Sequence, residues 1–154
     1  MKEYWVDIVA IVLSTIALIF SFMQFKSERE RSRKEATIHA FDELQNSESI
    51  IYLFSLSKIE IDDLVCRYKN KDQRINGKWD MLKKALPLIE HFAVGVNSEV
   101  YDVYTLNRMA GNKIITVYEA CEVLIEYKRS GKGDENNYLE FEKMVKSLKR
   151  IRSK

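Results

Sequence analysis

The hydrophobic pattern divides the chain into two unlike parts. From Ile8 to Phe25 no residue is charged, and the run IVAIVLSTIALIFSFMQF fills 18 positions. As a helix it is ~27 Å long at ~1.5 Å per residue, enough to cross a bilayer core. Tyr4 and Trp5 stand at one end of it, where aromatic residues favour a membrane interface. After Phe25 the apolar residues fall at three- and four-residue steps, and no strand-length alternation interrupts them. The expected fold is therefore all-α: one N-terminal transmembrane helix continuing into a cytoplasmic bundle of about five helices. The expected division is 1–26 as anchor, 27–46 as a basic juxtamembrane helical stalk and 47–154 as the helical domain.

Within the second part the spacing predicts six segments. The stalk runs without a breaker from Lys26 to Gln45, with a weak apolar face of Ala36, Ala40, Phe41 and Leu44. A helix from Ser47 to Tyr68 follows, burying Ile51, Phe54, Ile61, Leu64, Val65 and Tyr68. Asn76–Gly77 reads as a turn, and a helix from Trp79 to Val94 carries Pro87 as a kink or restart. Glu99–Ala110 brings in Tyr101, Tyr104 and Leu106, and Gly111–Asn112 separates it from a helix over Lys113–Lys128. The last helix spans Asn137–Ile151, with Tyr138, Phe141, Met144, Val145 and Leu148 facing inward. Its acidic start and basic end suit the helix dipole. The basic tail reads as solvated or as touching membrane or RNA.

The charges that flank the apolar run set an expected orientation. Lys2 lies before it, whereas Lys26, Arg29, Arg31, Arg33 and Lys34 crowd into the nine residues after it. The positive-inside rule places the C-terminal side in the cytoplasm and the N-terminus outside. A cleaved signal peptide is disfavoured, because Glu3 and Asp7 occupy the n-region and no A-x-A precedes the cations. The five cations can also rest on anionic headgroups.

The apolar run carries a seam. Glu3, Asp7, Ala10, Ser14, Ala17, Ser21, Gln24 and Glu28 recur at alternating steps of four and three, so they share one helix face, and all are small or polar. Bulky residues fill nearly all other positions. Small residues let membrane helices approach closely, and Ser or Gln bonds across. The face is expected to be a homo-oligomer contact or the lining of a polar channel; a single-pass anchor also tolerates a few Ser and Ala.

Composition removes most other classes. Net charge is +2 over 154 residues, too near neutral for bulk nucleic-acid binding. One Pro and five Gly argue against a sandwich or barrel. Cys66 and Cys121, with His39 and His91, make no metal-ligand spacing, and no phosphate loop, dinucleotide fingerprint or G-x-S-x-G is present, so no cofactor is expected.

Two weaker constellations remain. Arg33 and His39 stand at the loose spacing used by HEPN ribonucleases, in which His moves a proton and Arg holds phosphate. Glu90, His91, Asn97, Tyr101, Asp102 and Arg108 bracket Gly95 and could form a polar pocket. A hydrogen-bond network that fixes a helix corner explains them more simply.

The segments LPLIEHFAVGVNSEVYD, TLNRMAG, KIITVYE and YLEFEKMVKSL resemble a bacterial family of unknown function, numbered 4760. The resemblance implies a single-pass anchor with a small helical cytoplasmic domain, and no activity. The layout is also similar to the membrane accessory proteins of type VI-B CRISPR systems, which implies pore formation and a HEPN-like helical domain. The functional expectation is a self-associating membrane protein acting as pore, effector or scaffold in anti-phage defence, beside a cytoplasmic partner encoded nearby. A membrane-tethered RNA-binding or RNA-cleaving domain is the alternative.

Overall fold

The computed structural model describes residues 2–130 and 136–153, with side chains from residue 10 onward. Six α-helices follow in order: α1 (Lys2–Gln45), α2 (Glu48–Ser55), α3 (Lys58–Lys69), α4 (Asn76–Asn97), α5 (Val103–Ser130) and α6 (Leu139–Arg152). A single 3-10 turn, Gln73–Ile75, precedes α4, and no strand occurs among the described residues. The expected all-α architecture is observed.

α1 is one helix of 44 residues that leads two lives. Ala10 to Ser32 is exposed throughout, including Ile11, Leu13, Leu18, Phe20 and Phe22. From residue 33 the same helix joins the bundle: Thr37 and Phe41 are fully buried, and Ala40 and Leu44 pack on the core. The second half of the expected stalk is thus part of the domain. Among the described residues α1 is the one helix long and apolar enough to cross a membrane, with a mean hydropathy of 1.6 over its most apolar 18-residue window.

The bundle has five helices besides α1, but the chain divides them differently from the spacing. The segment expected as one helix over Ser47–Tyr68 is two. The chain is extended at Leu56 and Ser57, and Ser57 then forms a capping box: its hydroxyl accepts the Glu60 N–H, and the Glu60 carboxylate accepts the Ser57 N–H at 2.8 Å. Conversely, the segments expected on either side of Gly111 are one helix, α5. Gly111 lies inside it, where a Cβ would meet the Asn107 amide oxygen of the same helix and the Arg152 guanidinium at the end of α6.

Asn76–Gly77 is likewise helical, as the start of α4. Pro87 lies in its interior without ending it. Pro87 is exposed, so the Lys83 carbonyl that loses its partner faces water. Asp72 organises the approach to α4. Its carboxylate accepts the Arg74 N–H at 3.0 Å and the guanidinium groups of Arg74 and Arg67, which hold its pKa far below the usual carboxylate range.

The core is built from Phe41, Ile50, Leu53, Ile61, Trp79, Leu82, Leu86, Leu106, Leu124, Phe141 and Met144, all at most 1% exposed. Tyr68 stacks on Trp79 at 4.0 Å between centroids, and Tyr127 meets both rings edge-on. Two residues expected on the packed side of the second segment are exposed: Ile51 at 57% and Tyr68 at 36%. Ile51 lies about 150° round α2 from the buried face of Ser49, Ile50 and Leu53.

Candidate functional site

The junction between the exposed length of α1 and the bundle is where the sequence features converge. Three α1 side chains make it. Thr37, 0% exposed, donates its hydroxyl hydrogen to the Arg33 carbonyl at 2.7 Å and accepts the Asp102 N–H at 2.7 Å. Arg33 donates through Nη2 to the Tyr101 carbonyl at 3.3 Å. Phe41 packs against Phe92 of α4 at 5.8 Å, and Phe92 stacks on Tyr101 at 5.3 Å. α1 is therefore bolted to the corner between α4 and α5.

The corner is itself tightly made. The Tyr101 ring lies over Gly95, where a Cβ would come within 2.3 Å of the ring edge, so only glycine fits. The Tyr101 N–H donates to the Gly95 carbonyl at 3.0 Å. Asp102 then caps α5, its carboxylate accepting the Thr105 N–H at 2.7 Å.

The residues bracketing Gly95 do not gather round one space. Glu90 and Asn97, a heptad apart on α4, both turn to the start of α6. Tyr138 precedes that helix in a left-handed conformation (φ 62°), and its side chain makes no capping bond. Glu90 supplies the cap instead, accepting the Glu140 N–H at 3.0 Å and the Phe141 N–H at 2.8 Å. Asn97 donates at 2.8 Å to the Glu140 carbonyl and to its carboxylate. Burial, reinforced by the Glu90 charge, pushes the Tyr138 phenol up. Asp102 serves α5, and His91 and Arg108 point outward to solvent.

Arg33 and His39 also diverge. Six residues place them about 120° apart round the helix axis, at ~100° per residue. Arg33 turns to the corner while His39 is exposed. Lys26, Arg29, Arg31 and Lys34 are exposed, and Arg31 pairs with Glu35 at 2.9 Å.

The seam residues Ala10, Ser14, Ala17, Ser21 and Gln24 are exposed on the free length of α1. The Ser14 hydroxyl returns to the Ala10 carbonyl at 2.8 Å, so it brings no unpaired donor into an apolar surrounding. Asp7 belongs to α1, and its side chain lies outside the described residues. At ~100° per residue the seam centres about 150° away from the face formed by Arg33, Thr37, Ala40, Phe41 and Leu44. The bundle and the seam thus occupy nearly opposite sides of one helix.

A concavity of about 530 Å³ is an open groove where α4 ends, α5 begins and α6 ends. Val96, Val103 and Ile151 give it apolar walls, with Tyr104, Glu99 and Arg150 at its edge. Among the described residues no three His, Cys, Asp or Glu side chains gather closely enough to hold a metal ion.

Sequence reasoning missed Thr37, Gly95 and the Glu90 cap. Thr37 was legible only as a polar residue within the apolar face of the stalk, a signal that identifies no partner.

Residues 8–148 match the family model described as Domain of unknown function (DUF4760). The chain belongs to this family. The match runs through both the exposed length of α1 and the bundle, so the apolar helix and the domain are one DUF4760 unit, and the junction at Thr37 lies well inside it. Neither the curated proteins nor the solved structures hold a match. The resemblance to type VI-B accessory proteins gains no support from these comparisons.

Proposed function

We propose that this DUF4760 protein is a single-pass membrane scaffold: α1 crosses the bilayer with its N-terminus outside, and copies associate through the seam so that their helical domains are held together on the inner face. The observation that carries the reading is the opposition between seam and bundle on α1. A parallel pair or ring of α1 helices in contact through Ser14, Ala17 and Ser21 leaves every bundle on the outside, free of its neighbours' spanning helices. Had the two faces coincided, the bundle would have blocked the contact.

The membrane part follows from an apolar surface without any protein cover. Ile11 to Phe25 is exposed along a full 15 residues that water would penalise and hydrocarbon would solvate. The cation excess after Phe25 supports the orientation. Catalysis is not part of the proposal, since Arg33 is committed to the Tyr101 carbonyl and His39 faces another direction.

Crosslinking in native membranes tests the contact. With Cys66 changed to Ser, Ser14→Cys or Ser21→Cys should form disulfide dimers under oxidant. Val12→Cys and Ile19→Cys, which lie on the bundle's side of α1, should not. Equal crosslinking from both faces would remove the seam from the reading. A bright C-terminal GFP fusion, with an inactive C-terminal alkaline phosphatase fusion, is the result expected for topology; the reverse pattern would overturn it.

A further inference from the structure

We propose that the α4–α5 corner is a second membrane contact, a docking face for anionic phospholipid headgroups that holds the domain against the leaflet from which α1 emerges. This rests on the reading of α1 as a membrane span. The argument begins with depth. The headgroup layer adds ~5–8 Å beyond the hydrocarbon on each side of a bilayer. From Phe25, the last apolar residue of the run, Arg33 is ~12 Å along α1 at ~1.5 Å per residue. The Arg33 guanidinium bonds the Tyr101 carbonyl and Thr37, ~18 Å along, takes the Asp102 N–H, so the corner is fixed between those two levels. Its near side therefore lies ~5 Å from the headgroups, inside the ~8 Å Debye length of physiological salt. The bundle flanks one side of α1, and the ~20° tilt typical of spanning helices, taken toward that side, closes the remaining gap.

The chemistry of this end agrees. Val100, 56% exposed, lies between α4 and α5 and follows Glu99, which is left-handed with a φ of 60°. Tyr104 follows in the first turn of α5, with the apolar body and polar tip that suit a membrane interface. Arg150 shares the groove beside Tyr104; Arg108 stands one turn along α5, and Lys26, Arg29 and Lys34 lie on α1 between the span and the junction. All five are exposed, and among the described residues no carboxylate lies within 4.0 Å of any of them. Glu28, Glu30 and Glu99 offset part of that charge. The opposite end of the bundle, where α5 finishes at Ser130, is ~40 Å from Val103 along the helix.

The test uses the full chain with Cys66→Ser in nanodiscs containing phosphatidylglycerol, carrying an environment-sensitive NBD label at one added cysteine. A label at Val100→Cys should emit to the blue and be quenched several-fold more strongly by headgroup spin-labelled lipid than a label at Ser130→Cys. A label at Leu18→Cys, read with acyl-chain spin-labelled lipid, reports the span. The Val100 signal should fall in discs of phosphatidylcholine alone, and in about 1 M salt, where the Debye length falls to ~3 Å. Arg29→Gln with Lys34→Gln should weaken it. A Val100 label indistinguishable from the Ser130 label, with Leu18 quenched, overturns the docking face and leaves the span standing. An unquenched Leu18 label overturns the span, and the docking face with it. A Val100 signal indifferent to lipid charge and salt overturns the assignment to anionic headgroups.

Discussion

The Glu90 carboxylate accepts the backbone N–H of Phe141 at 2.8 Å, across 51 residues of chain. The same carboxylate takes the Glu140 N–H, so a side chain of α4 caps α6. The first amides of a helix have no partner within it, and Tyr138, being left-handed with no capping bond, supplies none. Glu90→Ala should therefore cost about 1–2 kcal/mol, the usual worth of an N-cap, and Glu90→Gln less. Urea unfolding in detergent, followed by circular dichroism, checks the cost. Amide exchange should locate the loss at residues 139–142.

Two glycine-to-alanine changes should have opposite signs. At Gly95 an added Cβ meets the Tyr101 ring at 2.3 Å, and that ring is held by Phe92 and by its own backbone bond. Gly95→Ala should destabilise by about 1–3 kcal/mol, the range for overpacking. At Gly77, in the first turn of α4, nothing lies within 4 Å of the new Cβ. Gly77→Ala should stabilise by about 0.4–1 kcal/mol through the unfolded chain. Thermal melts of the two variants against the parent decide both.

Acid should loosen the domain in a defined window. Arg74 and Arg67 hold the Asp72 carboxyl below its ordinary value of 3.8; Lys143 and Asn97 lower Glu140, and Lys146 and Arg129 lower Glu142. Each group binds a proton less readily folded than unfolded, so its contribution is complete above its unfolded value and is lost as pH falls through its folded one. The urea midpoint should hold steady near neutrality and decline below about pH 4–5. Asp72→Asn should lower the midpoint at pH 7 and flatten the acid decline; an acid limb as steep as the parent's would refute the assignment.

The two thiols should separate by reactivity. Burial pushes Cys121 up to about 12, whereas Cys66 is exposed on α3. The thiolate is the nucleophile. At pH 8 iodoacetamide should modify Cys66 and leave Cys121 intact in the folded protein, with both reacting in urea. Peptide mass spectrometry reads the ratio, and fast modification of Cys121 without denaturant would contradict its burial.

Much of the architecture was determined by sequence period alone. A charge-free run from Ile8 to Phe25 cannot be a loop, and three- and four-residue steps thereafter leave no room for a sheet. The small-residue seam is also a property of sequence, because phase along one helix needs no tertiary information. The break before α3 was legible too, since Ser57-x-x-Glu60 is a capping box, but the apolar residues on both sides kept the helical step and masked it.

Tertiary structure decided the rest, because the deciding partners are backbone groups distant in sequence or neighbours of another helix. Gly111 resembles a helix end, yet it is buried inside α5 with the Arg152 guanidinium of α6 beside it. Glu90 and Asp102 look like members of one pocket, yet each serves the N-terminus of a different helix, and unpaired amides carry no side-chain signature. The apolar face of Ala40, Phe41 and Leu44 already marked the covered side of α1, but only packing could supply its partners. Thr37 and Phe41 meet the α4–α5 corner there, and this leaves the seam on the far side of the same helix.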